Sequence, residues 1–166
     1  MRDKKSLVIY FSRADENYSV GYITKGNTEI IAEYISDITN GDLFKIEPLI
    51  PYSKDYQTAI GEAKERHFSN NAPIKENIND VSKYEVIYIG APVYWETMPQ
   101  EMFTALENID FTGKIVRVFT THEGSGLANI FNDVKRICKG ANVLEDAIAI
   151  RESECKNSRN VIENWI

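Results

Sequence analysis

The residues that follow the first apolar run of the chain are of the types that bind a phosphate group. Ser12 comes directly after the apolar run 7–11, and Gly26-Asn27-Thr28 opens a strongly periodic helical segment further along. The first backbone N–H groups of a helix have no partner inside the helix and lie at the positive end of its dipole. A phosphate can accept hydrogen bonds from these groups and from the hydroxyls of Ser12 and Thr28. The pattern predicts an anion site, and an ordinary helix cap is the alternative interpretation.

The phosphate predicted here is a single terminal one. The segment lacks the Gly-Lys-Ser/Thr sequence of nucleoside triphosphatases, and it lacks the Gly-x-Gly-x-x-Gly sequence of dinucleotide-binding folds. A small molecule that ends in one phosphate is therefore the expected ligand.

Two later loops carry residues suited to a flat ring. Tyr94 and Trp95 lie side by side between Pro92 and Pro99, and their faces can stack on a planar heterocycle or simply cover the core. The loop 121–126 is rich in backbone N–H groups that can reach a polar ring edge, although a glycine turn before a helix would look the same. Together the three loops describe a site for a ring with a phosphorylated tail.

The elements that must position these loops alternate along the chain. Short apolar runs predict five strands, and apolar residues at helical spacing predict five helices between and after them. The predicted strands are 7–11, 42–47, 84–90, 115–119 and 143–150, and the predicted helical stripes are 30–38, 52–67, 102–109, 127–137 and 161–165. Parallel neighbours need such crossovers, so we expect one α/β domain over residues 1–166, with a five-stranded parallel sheet and helices on both faces. Pro48 and Pro51 place strand 42–47 at the sheet edge.

Composition excludes several classes of function. The formal charge is −6 and the cationic residues form no stripe, which argues against a nucleic-acid binder. Cys138 and Cys155 stand in ordinary sequence, so we predict neither a disulfide framework nor a metal site. The apolar run ends by Phe11, too early for a secretory signal or a membrane span. We expect a cytoplasmic protein without membrane insertion.

Three segments, taken in order, resemble the three FMN-binding loops of the flavodoxin-like proteins. They are Tyr10-Phe11-Ser12-Arg13 with Gly26-Asn27-Thr28, then Gly90-Ala91-Pro92-Val93-Tyr94-Trp95 with Met98-Pro99, then Thr120-Thr121 with Gly124-Ser125-Gly126. The resemblance implies the strand order 2-1-3-4-5, for which flavodoxin is itself a standard example, with FMN at the switch point. It runs the length of the chain.

The resemblance also implies roles for individual residues. For the FMN phosphate it implies Ser12, Gly26, Asn27 and Thr28, with Arg13 and Lys25 nearby. For the isoalloxazine ring it implies Pro92, Val93, Tyr94 and Trp95, and for the pyrimidine edge Thr121, His122, Glu123 and Gly124. It leaves open which of the two aromatic residues stacks on the ring. It implies no catalytic protein nucleophile and no metal ligand.

The chain departs from the family pattern in three places. Residues 14–25 interrupt the phosphate loop, as in a branch of the family with a lengthened loop, and we expect this insertion to fold over the flavin. Glu96 stands where many relatives have glycine, and His122-Glu123 replaces a more usual Ser-Gly. We expect His122 to tune flavin reduction, because its imidazole titrates near neutral pH, and a solvated loop histidine is the alternative.

The first functional interpretation is an FMN-binding electron-transfer protein whose acidic surface docks on a basic reductase or acceptor. One alternative is an FMN-dependent NAD(P)H:quinone-type oxidoreductase. The other is a non-redox interaction domain of the same fold, because a fold alone does not fix a function.

Overall fold

The apolar runs form the central sheet of a three-layer α/β domain. The computed structural model describes all residues from Met1 to Ile166. The strands are β1 (Ser6–Tyr10), β2 (Asp15–Asn17), β3 (Gly21–Ile23), β4 (Asp42–Lys45), β5 (Val86–Pro92), β6 (Ile115–His122), β7 (Asn142–Val143) and β8 (Ile148–Arg151). The helices are α1 (Asn27–Thr39), α2 (Tyr56–Ser69), α3 (Gln100–Leu106), α4 (Ile130–Ile137) and α5 (Arg159–Trp165), with a 3-10 helix at Glu152–Asn157.

The strand order of the main sheet is β4-β1-β5-β6-β7, and β8 also pairs with β6. Every pairing in this sheet is parallel. The prediction of a parallel sheet in the order 2-1-3-4-5 is therefore confirmed, as is the place of the second predicted strand at one edge. The strands run parallel because each is joined to the next by a crossover that returns the chain to the same end of the sheet.

Two apolar cores cover the two faces of the sheet. On one face Ile31 and Ile35 of α1 pack with Ile162 of α5. On the other face Met102 of α3 and Val134 of α4 belong to the larger core. The residues 86–92 of β5 are buried throughout, as expected for a central strand with helices on both sides.

The fifth predicted strand, 143–150, is divided into β7 and β8. Arg117 of β6 is buried, and its guanidinium binds the carboxylate of Asp146 and lies 4.3 Å from the centre of the Trp165 ring. A buried cation needs a partner, and Asp146 lies in the segment between β7 and β8. The ion pair thus forms at the point where the fifth strand is interrupted.

The insertion at 14–25 folds into an antiparallel hairpin formed by β2 and β3. Arg13 fastens this hairpin to the rest of the protein. Its guanidinium donates to the backbone oxygen of Glu16 within the hairpin, and to those of Ser53 and Lys54 at 2.8 and 3.0 Å. None of the helices of the protein combines the length and apolar composition that crossing a membrane requires.

Candidate cofactor-binding site

The three predicted loops meet at the carboxyl edge of the sheet. Pro92 at the end of β5 pairs with Thr121 near the end of β6, so the second and third loops leave the sheet side by side. The hydroxyls of Thr28 and Thr121 are 2.7 Å apart and buried, which joins the start of α1 to the third loop. Residues separated by 93 positions in the sequence are therefore in direct contact.

The first loop forms a cradle at the N-terminus of α1. Ser12 Oγ accepts a hydrogen bond of 3.0 Å from the N–H of Glu29. The N–H groups of Asn27 and Thr28 have no acceptor in the protein, and the buried amide nitrogen Nδ2 of Asn27 also has no partner. Buried donors in folded proteins are normally paired, so this group of free donors is suited to an anion.

Gly26 fits this cradle because it has no side chain. A Cβ atom on Gly26 would lie 2.0 Å from Ser12 Oγ and 2.9 Å from the backbone oxygen of Arg13. The φ of Gly26 is −64°, which other residues also adopt. The glycine is therefore required by the close approach of Ser12 and not by backbone strain.

The second loop is a tight turn with two residues in the left-handed region. The backbones of Tyr94 and Thr97 exchange hydrogen bonds of 2.7 and 3.2 Å, and the central residues Trp95 and Glu96 have φ values of 51° and 68°. Such values cost roughly 1–3 kcal/mol at residues other than glycine. The Trp95 indole donates to the backbone oxygen of Ile60 at 2.9 Å, which holds the strained turn against α2.

A buried network supports the Tyr94 ring from behind. This ring meets those of Phe11 and Tyr52 edge to face, at centroid distances of 5.7 and 6.0 Å. The Tyr52 hydroxyl donates to Glu101 at 2.9 Å, and Arg66 binds the other oxygen of the same fully buried carboxylate at 2.7 Å. Burial raises the pKa of Tyr94 well above its ordinary value, so its phenol is neutral.

The third loop fixes the protonation of His122. The N–H of Gly124, which has a φ of 134°, donates to His122 Nδ1 at 2.9 Å. Nδ1 is then an acceptor, so the neutral ring carries its proton on Nε2. Burial and the charge of Arg151 lower the pKa of His122, which favours this neutral form.

These elements enclose a cavity of about 380 Å³, within the range typical of small-molecule sites. Six residues implied by the resemblance line it: Arg13, Val93, Tyr94, Trp95, His122 and Glu123. A much smaller pocket beside it is lined by Asn27, Thr28, Pro92 and Thr121, together with Arg13 and Tyr94. The cavity therefore lies next to the anion cradle, as a ring with a phosphorylated tail requires.

Two implied residues have their charged groups bonded elsewhere in the protein. The Arg13 guanidinium is occupied by the hairpin and by backbone oxygens before α2, and Lys25 is exposed and binds Glu33 at 2.7 Å. Ser12, Gly26 and Gly124 line neither the main cavity nor the small pocket, and act through the contacts described above. The donors of the cradle are thus mainly backbone N–H groups and short polar side chains.

Several lining residues were not identified from the sequence. They are Tyr56, Ala59, Ile60 and Ala63 of α2, and Glu152. Asn17 and Tyr18 of the insertion 14–25 and Ser125 of the third loop also line the cavity, and both of these segments were expected near the ring. Those of α2 fall on the helical stripe found in the sequence, but the stripe does not indicate what it faces. Glu152 follows β8 and carries no sequence signal, because it reaches the cavity only through the pairing of β8 with β6.

Glu152 has an unusual electrostatic environment. It forms no ion pair, and its Oε2 atom is buried without a hydrogen-bond partner, as is Oε1 of Glu123. Burial, together with the charge of Glu123, raises the pKa of Glu152 to about 7. Close to neutral pH this carboxyl group therefore exchanges between its acid and its anion.

Comparison with known proteins identifies related sequences and folds. A family model described as flavodoxin matches residues 5–166, nearly the whole chain. No curated protein sequence matches the chain. The chain is similar to a candidate flavoprotein from Bacteroides eggerthii at 26% identity, covering 96% of this chain and 98% of the other with a TM-score of 0.71.

Two further structures share the fold. A Lactobacillus acidophilus flavoprotein in complex with FMN is 23% identical, with 93% of this chain and 97% of the other covered and a TM-score of 0.65. A flavodoxin variant from Fusobacterium nucleatum bound to flavin mononucleotide is 14% identical, with 98% and 94% covered and a TM-score of 0.58. At these identities the likeness extends to the fold alone.

Proposed function

The chain belongs to the flavodoxin family, and from this membership we propose that it is an FMN-binding electron-transfer protein. One observation carries the proposal: the anion cradle and the aromatic turn, which lie far apart in the sequence, lie side by side at one cavity. A small molecule with a flat ring and a terminal phosphate has the matching shape and charge, and two proteins of the same fold hold FMN.

The residues present fit this cofactor. The free N–H groups of Asn27 and Thr28 and the hydroxyl of Ser12 would hold the phosphate, as expected for an anion at a helix N-terminus. Tyr94 and Trp95 would lie along the ring, and the third loop would meet its polar edge. FMN, when bound, supplies the redox chemistry, taking up and releasing electrons at its ring.

The protein's own residues determine how the ring is held and how it is reached. The network behind Tyr94 and the hydrogen bond of the Trp95 indole hold these two aromatic side chains in place before a ligand binds. This lowers the conformational entropy lost on binding. The Nε2 proton of His122 is free to donate toward the ring edge. The net charge of −6 supports transient docking on a basic protein partner.

Flavin binding is the first test. Protein purified from cells, or apoprotein titrated with FMN, should show flavin absorbance and quenched flavin fluorescence. A colourless protein that does not bind added FMN would refute the proposal and favour an interaction domain. Riboflavin is the matched control ligand, because it presents the same ring without the phosphate and should bind more weakly.

One observation favours a second candidate, an FMN-dependent NAD(P)H oxidoreductase of the quinone-reducing type. Asn17 and Tyr18 of the hairpin line the cavity, so the insertion would contact a bound ring and leave less of it to a protein partner. Steady-state reduction of a quinone by NAD(P)H and the purified holoprotein alone would favour this enzyme. Dependence on an added reductase protein would favour the electron carrier.

A further inference from the structure

We propose that Glu152 is a further cofactor-binding residue and that it must be in its neutral, protonated form for FMN to bind. This inference rests on the proposed function, since it concerns the same cavity. It adds a residue outside the three loops and predicts that binding of FMN takes up one proton.

Glu152 lies at both pockets of the site. It lines both the main cavity and the small pocket beside the cradle, which also contains Asn27, Thr28 and Thr121. Asn27 is more than nine-tenths buried, and its free amide nitrogen belongs to the same pocket. A carboxyl group here therefore lies between the phosphate cradle and the ring cavity.

Glu152 forms no salt bridge with a cationic side chain. Arg13 is the only lysine or arginine that lines either pocket; its terminal nitrogens donate to backbone oxygens, and its buried Nε has no partner. The titratable groups that line the same cavity or act on Glu152 come from six elements. They are Arg13 after β1, Tyr18 of the hairpin, Tyr56 of α2, Tyr94 after β5, His122 and Glu123 at and after the end of β6, and Cys155 of its own 3-10 helix. The charge that raises the pKa of Glu152, that of Glu123, is negative.

The proposed ligand is itself an anion. A phosphate monoester carries roughly −1.5 to −2 charges at pH 7. An ionised Glu152 would face this anion and Glu123 in a site that FMN has emptied of water, where repulsion is stronger than in bulk solvent. The neutral acid has no such repulsion, and its O–H can donate to an oxygen of the flavin or its ribityl chain while its carbonyl accepts.

Binding of FMN by this route takes up a proton when Glu152 is ionised in the free protein. Above the pKa of Glu152, which is about 7 in the free protein, one proton must be taken from solvent as FMN binds. The wild-type dissociation constant should then rise roughly tenfold from pH 6 to pH 8 and roughly a hundredfold by pH 9. The second phosphate ionisation of FMN lies near pH 6, so it is about half complete at pH 6 and nearly complete by pH 7, and it changes the charge of the ligand little from pH 7 to pH 9.

The experiment measures the FMN dissociation constant of the apoprotein by fluorescence quenching from pH 6 to pH 9. Glu152→Gln keeps the size and the neutral charge of the acid, so its affinity should be nearly constant across this range. Glu154→Gln is the matched control, because Glu154 is an exposed carboxylate of the same 3-10 helix. This control should keep the wild-type pH dependence.

The possible results separate the two proposals. FMN binding with the same pH dependence in wild type and Glu152→Gln, or with none in wild type, overturns the role of Glu152 and leaves the proposed function intact. Absence of FMN binding at every pH overturns both.

A second measurement needs no variant and covers a failure of Glu152→Gln to fold. In the wild-type apoprotein, the side-chain carboxyl carbon of Glu152 should titrate by NMR near pH 7, and addition of FMN at pH 8 should move its resonance to the protonated position. A midpoint near 4.5, or no movement with FMN, overturns the inference.

Discussion

Replacement of Gly26 by alanine tests the anion cradle most directly. The added Cβ would approach Ser12 Oγ to 2.0 Å and the Arg13 carbonyl oxygen to 2.9 Å. Rotation of the serine relieves the first clash but breaks its bond to the Glu29 N–H, and only a backbone shift relieves the second. Overpacking of this kind costs about 1–3 kcal/mol. The smaller conformational entropy of the unfolded chain offsets roughly 0.4–1 kcal/mol of this cost, so we expect stability to fall by about 0–2.5 kcal/mol.

The effect on ligand binding should be specific to the phosphate. A shifted Ser12 and a methyl group at the start of α1 would disturb the hydrogen bonds to the phosphate, and each bond to a charged group contributes about 1.5–3 kcal/mol. We therefore expect FMN to bind roughly 10- to 100-fold more weakly, at 1.4 kcal/mol for each factor of ten. Riboflavin, which has no phosphate, should lose less than about threefold.

Urea denaturation gives the stability and flavin fluorescence quenching gives the two affinities. Gly61→Ala is the matched control: Gly61 lies within α2, and a Cβ there would meet no atom within 4 Å. This control should gain about 0.5–1 kcal/mol, because alanine favours a helix more than glycine does. If Gly26→Ala is as stable as wild type and binds FMN equally well, or weakens both flavins equally, the cradle is not the phosphate site.

Three further changes test the surroundings of the ring. Tyr52→Phe removes one hydrogen bond from the buried Glu101 carboxylate and should lower the free energy of unfolding by about 1–3 kcal/mol; an unchanged urea midpoint would contradict this. His122→Ala should make the midpoint potential of the bound flavin about 10–30 mV more negative, which is roughly 0.5–1.4 kcal/mol for a two-electron couple, and should flatten the pH dependence of that potential. A spectroelectrochemical titration identical to that of wild type would show that His122 is only a loop residue. Because the native state binds the Glu152 proton more tightly than the unfolded state, whose pKa is near 4.5, wild-type stability should fall as the pH rises from about 4.5 to about 7. In denaturant titrations of the apoprotein, Glu152→Gln should therefore be roughly 1–2 kcal/mol more stable than wild type at pH 8 and as stable as wild type at pH 4. If the two proteins are equally stable at both pH values, the raised pKa of Glu152 is refuted.

The amino-acid sequence was sufficient to predict the order of the strands and helices, because hydrophobic periodicity is a local property. The run 7–11 and the stripe 30–38 correspond to β1 and α1, and Asn40 and Asn70 end α1 and α2 in the left-handed conformation. The three loops could be predicted to meet because the carboxyl ends of parallel strands lie at one edge. Their residue types also indicated the chemistry, since hydroxyls, aromatic rings and free N–H groups act in the same way in any fold.

Only the tertiary structure determined what closes the site. The hairpin at 15–23 is fixed by the bonds of Arg13 to backbone oxygens of residues 53 and 54, and nothing in the local sequence indicates those partners. The ion pair at the break in the fifth strand joins Asp146 to Arg117, whose burial follows from assembly of the whole sheet. Glu152 reaches the cavity, and acquires its raised pKa, only when β8 pairs with β6 beside Glu123. Burial and charge proximity arise from contacts between distant residues, and so they appear only when the chain has folded.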